Sequence, residues 1–283
     1  MNTLKFLTTV FLFTALSINV FGQNKTYPFD VTRSGKGTKS IIFIPGFSCS
    51  GEVWNETKSK YEKDFNCYTL TMAGFAGTEP QTDVTFKNWQ IEIASYIKEH
   101  HIEKPILIGH SMGGGLALAI ASDYPELIDK IVVVDALPCL AALMNPAFKS
   151  KAPNNCSEII SQITSITDEQ FYQMQKMSIP RLVADTSKQE LIVSWSVKSD
   201  RKTFAEMYCD FSNIDLREKI KTIKCPTLIL LEAYFKNVKP SIEEQYKNLK
   251  NANLQYADKG LHFIMYDDKE WYYSQLYNFI TLK

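Results

Sequence analysis

The pentapeptide Gly109-His110-Ser111-Met112-Gly113 is the strongest indication of fold in this 283-residue chain. It follows the apolar run Ile106-Leu107-Ile108 and leads into a stretch poor in charge, from Gly113 to Tyr124, that has the length of a helix. A G-x-S-x-G sequence between a strand and a helix is typical of a sharp turn in which the serine backbone is strained. Gly109 and Gly113 remove the side chains that would collide at this turn. We therefore predict that the Ser111 hydroxyl projects from a sheet edge as a nucleophile, beside a helix amino terminus that favours negative charge.

Outward from this motif, apolar runs of strand length alternate with helical patterns. Strands are predicted at Ser40–Ile44, Cys67–Thr71, Pro105–Ile108, Ile131–Val134, Thr227–Leu231 and Asn253–Tyr256, and helices at Trp89–Lys98, Gly113–Tyr124 and Lys269–Thr281. Short apolar strands separated by helices indicate parallel pairing with helices on both faces. The predicted fold class is therefore α/β, with a mostly parallel, doubly wound sheet.

The composition is that of a globular protein and excludes several classes of function. Apolar residues make up 45% of the chain, and 31 basic residues balance 31 acidic ones. This apolar content excludes a disordered chain, and the neutral balance gives no electrostatic footprint for nucleic acid or an anionic membrane. The sequence contains no metal-binding pattern, and we expect neither a metal nor a cofactor. The expected partner is a small-molecule substrate.

The alternation of strands and helices is interrupted between residues 137 and 213. Helix-like segments fill this stretch, and Met144, Met174 and Met177 contribute to an apolar side. We predict a helical cap, inserted after the strand that follows the nucleophile helix, whose flexible side chains line a pocket. Ordinary helical core is the alternative interpretation. Residues 23–136 and 214–283 are predicted to form the sheet-containing core.

Residues 1–22 are predicted to be a signal peptide. Lys5 supplies a positive charge, Phe6 to Val20 is mostly apolar and uncharged, and polar sequence begins at Gln23. Cleavage after Gly22 would give a secreted or periplasmic protein with no stable membrane span. A transmembrane anchor is the alternative, but the apolar run is shorter than the roughly 20 residues that a span requires.

The six cysteines follow no regular spacing. Export permits disulfides, but six cysteines allow about 15 pairings, so no pairing is predicted. Cys67 and Cys225 lie in apolar, strand-like runs and are expected to be buried free thiols.

Three further segments resemble the α/β-hydrolase family, and the resemblance covers nearly all of the predicted mature chain. Ile41–Phe47 resembles the strand and loop that supply half of the oxyanion hole. Gly74–Gly77 resembles the glycine-rich loop after the next strand, and Gly260–Met265 resembles the segment that carries the catalytic histidine. The resemblance implies an α/β-hydrolase fold with the active site at one sheet edge.

The resemblance also implies roles for individual residues. Ser111 would be the nucleophile and His262 the general base, with the backbone N–H groups of Phe47 and Met112 as oxyanion donors. The histidine follows independently from chemistry, because a serine hydroxyl at neutral pH needs a neighbouring base that titrates near 7. Of the four histidines, His262 alone lies in a loop between the last strand and the last helix, whereas the side chain of His110 is expected to point away.

The third member of the triad is where the sequence departs from the family pattern. The acid usually follows the strand Thr227–Leu231, but the sequence there is Glu232-Ala233-Tyr234-Phe235, without an aspartate. Asp135 ends the strand Ile131–Val134, where some family members place their acid, and Glu232 lies near the usual position. A carboxylate at a strand end also commonly binds N–H groups of a turn. We take Asp135 as the triad acid, with Glu232 or no acid as the alternatives.

These observations predict an exported serine hydrolase, most simply a carboxylic ester hydrolase. It would cleave an ester-like bond of a small, partly apolar substrate through a Ser-His-acid triad and an acyl-enzyme. One alternative is the same fold with peptidase, C–C hydrolase or cofactor-free peroxidase chemistry, since the pocket sets the reaction. Another is a non-catalytic binding protein with a decayed triad, which only the missing acid favours.

Overall fold

The computed structural model describes residues 25–281, so the predicted signal peptide, residues 1–22, lies outside the described residues. The strands within this range are β1 (Phe29–Ser34), β2 (Lys39–Ile44), β3 (Phe65–Met72), β4 (Ile106–His110), β5 (Lys130–Val134), β6 (Thr227–Leu231) and β7 (Ala252–Tyr256). They form one sheet in the order β1-β3-β2-β4-β5-β6-β7. Neighbouring strands pair in parallel, except that β1 is antiparallel to β3. The predicted α/β class with a mostly parallel sheet is confirmed.

Helices cover both faces of this sheet. They are α1 (Asn55–Tyr61), α2 (Phe86–Glu99), α3 (Met112–Asp123), α4 (Ser157–Ser165), α5 (Asp168–Ser178), α6 (Thr186–Lys198), α7 (Arg201–Ser212), α8 (Lys239–Tyr246), α9 (Ile264–Asp267) and α10 (Lys269–Thr281). Alternate side chains of β2 enter separate cores: Ile42 and Ile44 pack with α2, α3 and α8, whereas Ile41 and Phe43 pack with α1 and α10. Over residues 25–281, none of the helices is long and apolar enough to cross a membrane.

The register aligns the carboxyl ends of the central strands at one edge. Ile44 pairs with Gly109, Gly109 with Val133, and Val134 with Leu230. Because parallel strands in this alignment end together, the loops that follow them emerge side by side, which is where ligands bind in open α/β sheets. These loops carry Phe47, Ser111, Asp135 and Glu232.

The segment between β5 and β6, residues 135–226, contains α4 to α7 and no strand. Within it α4 packs against α7, and α5 packs against α6. A disulfide between Cys156 and Cys209 joins the start of α4 to α7. The predicted range 137–213 includes all four helices, and its role as a cap stays a prediction. Cys67 and Cys225 are buried free thiols, as predicted.

The main element that sequence patterns did not predict is β1. Its burial alternates imperfectly, with Asp30, Thr32 and Arg33 exposed, so it lacks the continuous apolar run that marks a central parallel strand. An edge strand with one solvated side is ordinary in an antiparallel pair. The short helices α1 and α8 were also not predicted, whereas β6 and α10 have the predicted bounds.

Candidate active site

Ser111 lies at the turn between β4 and α3 in a backbone conformation that few residues other than glycine adopt. Its φ is 51° and its ψ is −120°, and backbone strain of this kind clusters at functional sites. Its N–H donates to the Val134 carbonyl across 2.8 Å. A Cβ on Gly109 would lie 2.2 Å from the Gly113 carbonyl oxygen, and one on Gly113 would lie 2.3 Å from the Ile44 oxygen. Only glycine therefore fits at positions 109 and 113, two residues before and two residues after this serine.

The loop that follows β2 passes directly beside Ser111. A Cβ on Gly46 would lie 3.3 Å from the Ser111 Cβ, and the next residue, Phe47, lines the same cavity as Ser111. Met112 is the first residue of α3, where backbone N–H groups have no acceptor within the helix. The two residues predicted as oxyanion donors therefore adjoin Ser111, one along the chain and the other across the β2 loop.

His262 and Asp135, 127 residues apart in sequence, meet at this sheet edge. The His262 Nδ1 lies 2.7 Å from Asp135 Oδ2, and the side chains are 23% and 1% exposed. Because an ionised carboxylate only accepts hydrogen bonds, Nδ1–H is the donor, and Nε2 of the neutral ring is left as a proton acceptor.

The Asp135 carboxylate is held from two sides. Its Oδ1 accepts a hydrogen bond from the Glu232 N–H across 2.7 Å, and its Oδ2 accepts one from His262 Nδ1. The Asp135 backbone has a φ of 49°, and its own N–H donates to the Leu230 carbonyl across 2.7 Å. Asp135 is therefore, after Ser111, a second residue with a strained backbone at this edge. Its left-handed conformation directs the carboxylate towards β6 and the His262 loop.

Backbone hydrogen bonds hold the loop that carries His262. The Leu261 N–H donates to Asp267 Oδ2 across 2.9 Å, and the Phe263 N–H donates to the Leu182 carbonyl across 3.0 Å. The second contact joins the loop to the segment inserted between β5 and β6. The residues on either side of His262 are therefore tied to two different parts of the structure.

His110 gives the same loop a third contact. Its ring centroid lies 4.6 Å from that of His262, and its Nε2 lies 3.0 Å from the His262 carbonyl oxygen. Since a carbonyl can only accept, Nε2 carries the proton. Burial, followed by the proximity of His262, lowers the pKa of His110 well below its usual range. His110 is therefore a neutral donor that positions the backbone of His262.

Glu232, the alternative acid, adjoins this pair without bonding to the imidazole. Within residues 25–281 its carboxylate makes no hydrogen bond to His262, and only its backbone N–H contacts Asp135. Burial, reinforced by the nearby Asp135 charge, raises the pKa of Glu232 to about 7. The side chain lines the same cavity as Ser111, so the site contains a second carboxyl group that changes charge near neutral pH.

A cavity of about 460 Å³ opens at this edge and is lined by Ser111, Asp135 and His262. Much of the remaining wall is apolar and comes from the inserted segment, including Leu137, Leu140, Leu143, Ile179, Leu182 and Ile192. The predicted methionine lining is wrong, because Met144 and Met177 are 90% and 68% exposed. On α5 the cavity is lined by Gln175 and, one turn later, by Ser178, and Ile179 follows directly after the helix.

Cys49 is another potential nucleophile in the cavity wall. Burial raises the pKa of its thiol to about 12, so it stays protonated and unreactive at neutral pH. Across residues 25–281, no group of three or more His, Cys, Asp or Glu side chains is arranged to hold a metal ion.

The parallel sheet, the strained serine between β4 and α3, and the His–Asp pair at the same edge define an α/β-hydrolase. A family model described as "alpha/beta hydrolase fold" matches residues 39–269. The chain belongs to this family, which confirms the predicted family and enzyme class.

Relatives with assigned functions are similar over most of their length. A pimeloyl-[acyl-carrier protein] methyl ester esterase from Wigglesworthia glossinidia brevipalpis is 25% identical over 229 residues, covering 80% of this chain and 86% of the relative. The protein of the same name from Vibrio cholerae is 22% identical over 253 residues, covering 88% of this chain and 96% of the relative.

Solved structures share the fold. An enol-lactonase from Burkholderia xenovorans superposes with a TM-score of 0.73 at 16% identity, covering 89% of this chain and 96% of that chain. An esterase from Exiguobacterium antarcticum gives a TM-score of 0.72 at 17% identity, covering 89% and 95% of the two chains. At these identities the likeness shows the architecture alone.

Proposed function

We propose that this chain hydrolyses carboxylic esters through a catalytic triad of Ser111, His262 and Asp135. The observation that carries the proposal is the 2.7 Å contact between His262 Nδ1 and Asp135 Oδ2, in the wall of the same cavity that the strained Ser111 lines. A histidine oriented by a carboxylate next to a serine at a strand–helix turn is the arrangement that activates a hydroxyl for acyl transfer. The esterase names of the curated relatives support the same reaction.

In the proposed reaction, the Ser111 hydroxyl attacks the ester carbonyl while His262 Nε2 takes its proton. The tetrahedral oxyanion accepts hydrogen bonds from the N–H groups of Phe47 and Met112, and loss of one such donor typically costs about 3–4 kcal/mol of transition-state stabilisation. His262 then gives the proton to the departing alcohol. Water attacks the acyl-enzyme with His262 again acting as the base, which releases the acid.

Asp135 is assigned as the orienting acid rather than Glu232. Its carboxylate contacts Nδ1 directly, its side chain is 1% exposed, and the charge stabilises the imidazolium that forms in each step. Glu232 has a pKa of about 7, so at neutral pH it is only partly charged. The contact between an acid and His262 supports an intact triad over a decayed one.

The substrate is proposed to be a small, partly apolar ester that residues 137–213 enclose as a cap. A cavity of about 460 Å³ with largely aliphatic walls is of the size and character of small-molecule sites. The inserted helices supply much of that wall and contact the His262 loop through Leu182. A segment with these contacts is in a position to select the substrate.

We also propose that the chain is exported, with residues 1–22 as the cleaved signal peptide. The support within the described residues is the disulfide between Cys156 and Cys209, since such bonds persist in secreted and periplasmic proteins and are rare in a reducing cytosol. Mass spectrometry of the protein from its native host would show an amino terminus at Gln23 if the cleavage site is as proposed.

Covalent labelling tests the catalytic proposal. A fluorophosphonate probe should label the wild-type protein and fail to label Ser111→Ala, because only an activated serine reacts quickly with it. Ser178→Ala is the matched control: this serine also lines the cavity, yet its hydroxyl is bonded to the Met174 carbonyl, so labelling should persist. Equal labelling of wild type and Ser111→Ala would refute Ser111 as the nucleophile.

A further inference from the structure

Gln175 is a buried polar side chain in the cavity that the triad does not use. It lies on α5 in the inserted segment and is 6% exposed. It lines the cavity together with Ser178 and Ile179. Within residues 25–281, its side-chain amide makes no hydrogen bond to protein. Its amide atoms are not fully enclosed by protein, and the residue borders the cavity.

Two serines in the cavity wall and a second buried glutamine do have hydrogen-bond partners. Ser48 and Ser196, which also line the cavity, bond to each other across 2.8 Å. Gln90, a glutamine 1% exposed on α2, donates to the Ala119 carbonyl across 2.9 Å. Burying an amide without a partner costs free energy that one hydrogen bond recovers. Gln175 therefore offers an unused donor and an unused acceptor in a mostly apolar chamber.

We propose that Gln175 determines substrate specificity by hydrogen-bonding a second, uncharged oxygen of the substrate, a hydroxyl or carbonyl group carried away from the scissile ester. This inference rests on the proposed ester hydrolysis. The apolar wall around Gln175 would accept the carbon chain. A neutral amide can hydrogen-bond a neutral oxygen without leaving a buried charge unpaired. The substrate class is thus a hydroxy- or oxo-substituted ester rather than a plain alkyl ester.

The test is a panel of matched esters. Each pair has the same carbon skeleton and differs by one hydroxyl or keto oxygen, placed at successive carbons of the acyl or the alcohol chain. For one position of the added oxygen, wild type should hydrolyse the substituted ester with a kcat/KM at least tenfold higher than that of the unsubstituted ester. The reason is that a site that hydrogen-bonds a polar group discriminates strongly against the analogue that lacks it. Gln175→Met, of similar length and helix propensity, should reduce that preference tenfold or more.

Gln173→Met is the matched control on the same helix. Its amide is exposed and bonded to Glu169 across 2.7 Å, so the wild-type preference should be retained. The inference is overturned if no position is preferred, or if Gln175→Met keeps the wild-type ratio while circular dichroism shows both variants folded.

Binding to the Ser111→Ala background separates this inference from the proposed function. Calorimetric titration with the same pairs should show tighter binding of the substituted ester, and the difference should disappear on adding Gln175→Met. If no ester is hydrolysed but this binding difference is found, the hydrolase proposal fails and the Gln175 site stands. If esters are hydrolysed without discrimination in either measurement, the Gln175 site fails alone.

Discussion

The Nδ1 atom of His262 lies 2.7 Å from Oδ2 of Asp135, and the two residues come from loops that follow different strands of one sheet. Asp135 ends β5, next to the strand that leads to Ser111, whereas His262 follows β7 at the far side of β6. The pair therefore bridges β6, and its geometry depends on Asp135 adopting a left-handed φ of 49° at the strand end.

Asp135→Asn should lower kcat by about 1,000- to 10,000-fold, because an amide cannot stabilise the imidazolium and favours the wrong tautomer. Asparagine tolerates the left-handed backbone, so the fold should be retained. The measurement is steady-state hydrolysis of a p-nitrophenyl ester together with thermal unfolding. Glu232→Gln is the comparison and should lose far less activity. A larger loss in Glu232→Gln than in Asp135→Asn would move the role of triad acid to Glu232.

Glu232 should make stability depend on pH. Its pKa is raised from the usual 4.5 to about 7, so the folded state favours the protonated carboxyl. The corresponding stabilisation is present below about pH 4.5 and is lost as the pH rises through 7. Glu232→Gln stays neutral, and its free energy of unfolding relative to wild type should rise between pH 5 and 9 by up to about 2 kcal/mol, discounted for partial solvation.

Urea unfolding at several pH values measures this difference, with Glu79→Gln, an exposed position, as the control that should show little pH-dependent change. A constant difference between Glu232→Gln and wild type across the pH range would contradict the raised pKa.

His110→Asn should reduce kcat roughly tenfold to a hundredfold while Ser111 remains in place, because the His262 carbonyl loses the Nε2–H donor 3.0 Å away and a small displacement of a catalytic group is costly. The rate of fluorophosphonate labelling should fall in parallel. His100→Asn, at the end of α2, is the control and should match wild type. Unchanged kcat in a folded His110→Asn would show that the other contacts alone hold the loop.

Gly113→Ala and Gly115→Ala should behave oppositely, although both lie on α3. A Cβ at 113 would lie 2.3 Å and 2.5 Å from the Ile44 and Pro45 carbonyl oxygens, whereas the nearest atom to a Cβ at 115 is 3.4 Å away. We expect Gly113→Ala to destabilise the fold by about 3 kcal/mol or more, as backbone overpacking does. Gly115→Ala should be neutral or stabilising by up to about 1 kcal/mol, since alanine favours helix. The measurement is urea unfolding of the two variants, and equal stability would contradict the close packing around Gly113.

The double variant Cys156→Ser/Cys209→Ser should lower the free energy of unfolding by about 2–4 kcal/mol, because the bond closes a loop with a sequence separation of 53. Reductant should destabilise wild type by a similar amount and leave the double variant unchanged. If reductant does not change the unfolding midpoint of the wild-type protein, the Cys156–Cys209 disulfide is absent in solution.

Local sequence determined the six parallel strands β2 to β7, the turn at Ser111 and the position of His262. Unbroken apolar runs such as Ile41–Ile44 are compatible only with burial on both faces, and Gly109 and Gly113 mark a turn that excludes side chains. These features depend on neighbours along the chain, so the pattern of residues suffices. The same reasoning placed His262 at the functional edge, since all parallel strands end there.

Tertiary structure alone decided which carboxylate meets His262, which residue His110 contacts and that Gln175 lines the cavity. Asp135 and Glu232 both end strands at one edge, and only the backbone turn at Asp135 directs one of them to Nδ1. His110 contacts a residue 152 positions away, and the Cys156–Cys209 bond spans 53. Contacts of this kind are set by packing between distant segments, which no periodicity or spacing along the chain encodes.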